Sequence, residues 1–307
     1  MRKPTFSDLV IALGGIVLVG HTWTMLAADK LTDAAIRNDT DAAKAALTLA
    51  PWAVNCTNMD HRLFAAMAEY PIQPPLLWAC QENSSEIIAL YLEHGANVNA
   101  VSYSSKLNAV TATLCYHQLT DERFEIVQLL LDHGFDLTTP QAKDGNDVLS
   151  ASVRIYSNDT QETKEASFAL FLRTKEAFEA EAIPIRGRVY ECGTRSILTL
   201  AAMYCNQPVV EHLLTEKYYR INERDAIGQT ALTAVLYNGG YSPEEYDFCE
   251  YLLSEGADPA ITDNFGRSAM DYAETSGDAQ LLELLDAWAQ EDGTGEQGIK
   301  SDTQTAS

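Results

Sequence analysis

The sequence predicts an all-α solenoid of stacked helix–turn–helix units, and three observations carry that reading. Apolar residues recur at three- and four-residue spacing in Ile87-Ile88-Ala89-Leu90-Tyr91-Leu92 and again in Ile126-Val127-Gln128-Leu129-Leu130-Leu131. Such spacing puts one broad apolar stripe on a helix. Stripes end at Gly95, Gly134 and Gly256, where glycine supplies the left-handed residue that closes a helix C-terminus. Finally, Asp225-Ala226-Ile227-Gly228 and Asp263-Asn264-Phe265-Gly266 carry turn chemistry, an Asp to bond its own backbone and a Gly for positive φ. Thr230 and Ser268 follow where a helix N-cap hydroxyl is wanted.

Taken in chain order, residues 31–56 read as a capping half-unit, because Leu31, Ala34, Ala35, Ala43 and Leu47 still keep helical spacing. Full units are expected to begin near residues 72, 194, 227 and 265. Surplus residues around His117-Gln118-Leu119-Thr120 and Asn238–Pro243 lengthen their units, and the second is read as a lengthened turn. Residues 144–185 give two apolar helices but lack the closing Gly-Ala-Asp loop, so they form a degenerate unit whose second helix runs long. The stretch 291–307 is polar and without periodicity, which predicts a disordered tail.

The unit DNFGRSAMDYAETSGDAQLLELLDAWA, the earlier RDAIGQTALTAVL with FCEYLLSEGADPAIT, and PPLLWACQENSSEIIALYLEHGANVNA share one grammar. It resembles the ankyrin repeat. The resemblance implies an ankyrin-repeat domain of about six units over residues 29–290. It also implies a function exercised by a stacked binding surface. The chain is similar to exported bacterial ankyrin proteins, some of which are immunity or accessory proteins of secreted phospholipase toxins, including type VI secretion lipases. A second expectation is an accessory to an oxidative-stress enzyme such as catalase.

The front end bears on compartment. Arg2 and Lys3 precede the apolar run Leu9–Gly20, and Ala27-Ala28 stand before Asp29. Residues 1–28 therefore read either as a secretory signal peptide cut before Asp29 or as an uncleaved anchor, since about 20 residues span a bilayer. Both put the repeats outside the cytoplasm, and a bacterial origin makes that the periplasm. Met25 offers a second start that would drop the leader and keep every unit.

With 21 Lys and Arg against 44 Asp and Glu, the formal net charge is −23. Such a chain repels nucleic acid and anionic membranes, so the expected partner is a protein, with no direct lipid contact beyond an N-terminal anchor. No cofactor, metal or catalytic residue is expected. Gly293, Gly295 and Gly298 match a dinucleotide-binding spacing but follow no strand and open no helix. His94 and His133, each before a capping glycine, are expected to bond the last helix carbonyls. Cys192 and Cys205 could bridge in an oxidising compartment, although spacing fixes no connectivity.

Aromatic residues mark the expected partner surface. Trp78, Met203, Tyr237 and Tyr272 fall where first helices of this family face the groove, with Tyr116 and Tyr204 near it. Tyr103, Tyr190 and Phe265 are expected at the loop-tip rim. Large rings with few rotatable bonds suit an interaction hot spot. The competing reading is that the groove residues pack between adjacent first helices and stiffen the stack.

Overall fold

The computed structural model describes residues 26–56, 73–103, 105–115, 120–140, 142, 145–155, 159–191, 193–237 and 242–295. The described residues are helical and contain no named strand; a lone antiparallel bridge joins Tyr190 and Arg195. The chain divides into two compact units, Met1–Ala151 and Ser152–Ser307.

In the first unit, α1 (residues 26–37) and α2 (Thr40–Leu49) are followed by a 3-10 turn, Pro51–Asn55. Next come α3 (Pro75–Gln81), α4 (Ser85–Glu93), α5 (Ala109–Leu114), α6 (Asp121–Asp132) and the single turn α7 (Val148–Ala151). First helices α3, α5 and α7 pack in one row, and α2, α4 and α6 in a second. The second unit holds α8 (Gln161–Ala180), α9 (Ile197–Met203), α10 (Gln207–Thr215), α11 (Ala231–Leu236), α12 (Pro243–Ser254), α13 (Ala269–Ser276) and α14 (Ala279–Gly295). Here α9, α11 and α13 form the first row, while α8 packs on α10 and α12 on α14.

Sequence chemistry accounts for these ends. Thr230 caps α11 and Ser268 caps α13 as expected, each paired with the third helical residue in a reciprocal capping box. Asn108–Thr111 and Ser196–Thr199 repeat that box on α5 and α9. Gly95, Gly134 and Gly256 take φ of 80°, 83° and 88°, the left-handed closure their position predicted. His94 and His133 bond the carbonyls of Leu90 and Leu129 through Nδ1 at 2.8 Å.

A second periodic device was not visible as a motif. Asn99 donates from Nδ2 to the Gly134 carbonyl at 3.2 Å and accepts from the Asp136 amide at 2.8 Å. Asn55 does the same with Gly95 and Asn97, and Asn222 with Gly256 and Asp258. Each amide thus staples one repeat's loop to the closure of the next, satisfying backbone groups that helix ends leave open.

Several expected boundaries move. Helix α1 begins upstream of Asp29, and α14 continues to Gly295, into the stretch read as a tail. Residues 116–119 and 238–241 lie outside the described residues, so most of both surplus turns does too. Within the degenerate stretch, α8 is indeed long, at 20 residues.

Candidate functional site

The loops that enter α11 and α13 are built alike. The Asp225 amide donates to the Gln229 carbonyl at 2.9 Å, and the Asp263 amide to the Arg267 carbonyl at 2.9 Å. Oδ1 of each aspartate accepts two further amides, from Ile227 and Gln229 in one loop and from Phe265 and Arg267 in the other. The two tips touch: the Asn264 amide donates to the Ile227 carbonyl at 2.9 Å. Gly228, at φ 83°, tolerates no side chain there, because a Cβ would lie 2.5 Å from Arg224 and Asn264 side-chain atoms.

With Oδ1 committed to backbone, Oδ2 of each aspartate is left to hold side chains. Asp225 Oδ2 accepts from Thr199 Oγ1 at 3.0 Å and pairs with Arg195 Nη1 at 3.4 Å. Asp263 Oδ2 accepts from the Tyr272 hydroxyl at 2.6 Å and pairs with Arg267 Nη2 at 3.0 Å. Gln229 joins the two halves: its Oε1 accepts from Arg195 Nη1, and its Nε2 donates to the Tyr272 hydroxyl at 2.9 Å. One hydrogen-bonded chain therefore runs Arg195, Gln229, Tyr272, Asp263, Arg267 across three consecutive repeats.

Electrostatics follow from the bonding. Burial would raise the Asp263 carboxyl, but hydrogen bonds from Tyr272, from the Arg267 and Phe265 amides and from the Arg267 guanidinium hold it below its ordinary value. Tyr272 is pushed up to about 12 by burial and by its bond to Asp263. The network is thus locked with Asp263 charged and Tyr272 protonated.

Rings cover this chain on its open side. The Arg195 guanidinium lies 5.0 Å from the Tyr237 ring centre, and Tyr237 meets Tyr272 edge-on at 6.2 Å. Arg267 sits 4.6 Å from the Tyr272 ring and 5.1 Å from Phe265. These distances suit cation–π attraction. Tyr237 is 47 % exposed and Phe265 71 %, with the Arg267 side chain 42 % exposed. The result is an open face of two rings and one guanidinium, held rigidly from beneath.

The structure brings Tyr237, Phe265 and Tyr272 together through the Tyr237–Tyr272 ring contact and Arg267. Tyr272 is buried as the support of the face, the packing role. Trp78 is also buried, within α3 of the first unit. Tyr103 is exposed in that unit, with Lys106 Nζ 5.5 Å from its ring centre. Met203 is half-buried, as is Tyr204, whose hydroxyl accepts from Arg154 at 3.1 Å.

Tyr190 corrects the rim expectation: it is 0 % exposed. Its amide donates to the Arg195 carbonyl, so it occupies the inward loop position held by Asp225 and Asp263, and the tip lies beyond it. Tyr116 and Cys192 lie outside the described residues. Cys205 is a free thiol, pushed up to about 12 by burial and then by Glu245 and Glu244.

Arg195 and Arg267 were missed. The signal was present, since Arg195, Gln229 and Arg267 each immediately precede an N-cap residue. They share one register and therefore one line along the stack. Among the described residues, no group of three or more His, Cys, Asp and Glu side chains is placed to hold a metal.

Comparison with known proteins agrees with this geometry. Residues 190–291 match the family model of ankyrin repeats in three copies, and residues 73–103 match the model of the single ankyrin repeat. No curated protein sequence matches the chain. Among solved structures, the human ASB11 ankyrin repeat domain is similar at 18 % identity and a TM-score of 0.54, covering 84 % of this chain and 96 % of that one. The ankyrin repeat protein EF0377 gives 22 % identity and a TM-score of 0.48, covering 69 % and 96 %. A chain from the complex of the Bdellovibrio bacteriovorus predatory endopeptidase Bd0816 with immunity protein Bd3460 gives 16 % and 0.40, covering 84 % and 97 %. With ankyrin models matched in both units, over residues 73–103 and 190–291, and helix rows joined by capped loops, the fold is that of an all-α ankyrin solenoid.

Proposed function

We propose that this protein acts in the periplasm as an immunity protein, binding and neutralising a cognate secreted toxin such as a type VI secretion phospholipase or lipase. Ankyrin repeats mediate protein–protein binding. The observation that carries a binding role here is the open face of Tyr237, Phe265 and Arg267 on a buried polar chain. Tyr and Arg are the residue types that dominate interaction hot spots, and a rigid support lowers the entropy cost of ordering them. Export is supported by Arg2 and Lys3 before the apolar run Leu9–Gly20, and the toxin partner by the resemblance to exported ankyrin immunity proteins. The mode of action is occlusion of the partner, with no chemistry performed by this chain.

The test is a neighbouring open reading frame with a Gly-x-Ser-x-Gly motif. Its product should lose lipid hydrolysis in stoichiometric mixture with the full chain and keep it in mixture with a Tyr237→Ala/Phe265→Ala variant. Full activity beside excess wild-type chain contradicts the immunity reading. A second reading, support of an oxidative-stress enzyme such as catalase, is favoured by one observation. Helix α1 includes residues 26–28, which fits an anchor that is kept. A haem catalase encoded alongside, losing activity when this gene is deleted, would select it.

A further inference from the structure

We infer that the chain stays joined to its N-terminal apolar segment and rests the Leu26–Leu49 end of its first unit on a lipid bilayer.

The expected cut before Asp29 falls inside the fold. Helix α1 is already formed at residue 26, and its buried stripe is Ala27, Ala28, Leu31, Ala34 and Ala35. Ala28 is 0 % exposed, as is Leu31, whose carbonyl accepts from the buried Tyr91 hydroxyl of α4 at 2.6 Å. Cleavage would remove two positions of that stripe.

The same end exposes apolar side chains together. Leu26 is 54 % exposed and Leu49 68 %. They flank a hollow of about 320 Å³ between α1 and α2, whose walls include Ala27, Ala42 and Ala46 and whose one charged side chain is Lys30. Trp52, three residues beyond Leu49, is also exposed.

The occupant follows from the adjoining sequence. Residues 9–25 contain no Asp, Glu, Lys or Arg, and about 17–25 such residues span a bilayer. Leu26 follows that stretch directly and lines the hollow, so a spanning segment would bring the hollow against the lipid surface. Lys30 can bury its stem there and reach a phosphate, and Trp suits the interfacial layer. The net charge of −23 favours zwitterionic over anionic lipid. This inference does not depend on the identity of the protein partner.

The experiment uses the full chain in phosphatidylcholine vesicles doped with a phospholipid carrying a photoactivatable diazirine on its acyl chain, followed by peptide mapping. Label is expected both within residues 9–25 and on the α2 peptide. Leu49→Glu, or Leu49→Ser should the charge disturb folding, is expected to lose the α2 label and keep the first. Label confined to residues 9–25 in the wild type, or label absent from both, overturns the proposal. Protein recovered from the producing cell should retain residues 1–28 by intact mass, and a product beginning at Asp29 overturns it equally.

Discussion

Gln229 donates from Nε2 to the hydroxyl of Tyr272 at 2.9 Å, so a loop of one repeat is bonded to the first helix of the next. Gln229 is fully buried and accepts from Arg195 on its other end. The aromatic face is therefore mounted on a polar chain whose members satisfy one another, and buried networks of that kind rigidify what stands on them.

Arg195 should be the costliest single loss. It is almost fully buried and paired with the fully buried Asp225 carboxylate. Arg195→Ala leaves that carboxylate without its cation and is expected to cost about 3–5 kcal/mol, the range for breaking one half of a buried pair. Chemical denaturation checks it, and a cost below about 1 kcal/mol would show the pair to be peripheral.

The asparagine staples make a milder prediction. Asn222→Ala frees the Gly256 carbonyl and the Asp258 amide, and both are exposed enough for water to replace the bonds. A loss of about 0.5–1.5 kcal/mol is expected, with faster hydrogen exchange confined to the Gly256–Asp258 loop. Unchanged exchange there would mean the staple carries no stability.

Much of this fold was legible because its determinants are local. A capping hydroxyl such as Thr230, a closing glycine such as Gly256 and the stripe Ile126, Val127, Leu130 each act within a few residues. The candidate site was only half legible, since its logic is lateral. Whether Phe265 is open and Tyr272 closed depends on what the neighbouring repeat places beside them, and Gln229 and Arg195 are separated by 34 positions. Tyr190 failed as a rim residue for the same reason: an inserted residue in its loop moves the tip past it.

His212 predicts a pH dependence. Burial, then the charge of Lys175, holds its imidazole below the ordinary 6.5, against weaker opposing effects of Glu216 and Glu179. Rings of Phe168 and Phe171 approach it at 6.2 and 6.0 Å. Because the folded state binds the proton less readily than the unfolded state, this contribution is flat above about 6.5. Stability then falls as pH drops from there toward the lower folded value. Melting curves between pH 7.5 and about 5 should slope less in His212→Gln than in wild type; equal slopes would exclude His212 as the source.

Helix α1 makes a prediction about the second start site. A chain begun at Met25 keeps the buried stripe from Ala27 onward, whereas one begun at Asp29 loses Ala27 and Ala28. Two buried methyl groups at about 0.8 kcal/mol each should separate the stabilities of the two truncations. Equal melting temperatures would show that the first turn of α1 contributes nothing.

The most direct test of the account is a calorimetric titration of the full chain against the proposed secreted partner enzyme, comparing wild type with Phe265→Ala and Tyr237→Ala. The account predicts a one-to-one complex weakened by on the order of 1–4 kcal/mol for each variant, with melting temperatures close to wild type because both rings are substantially exposed. Wild-type affinity in both variants would contradict the claim that this face of the repeats is where the protein acts.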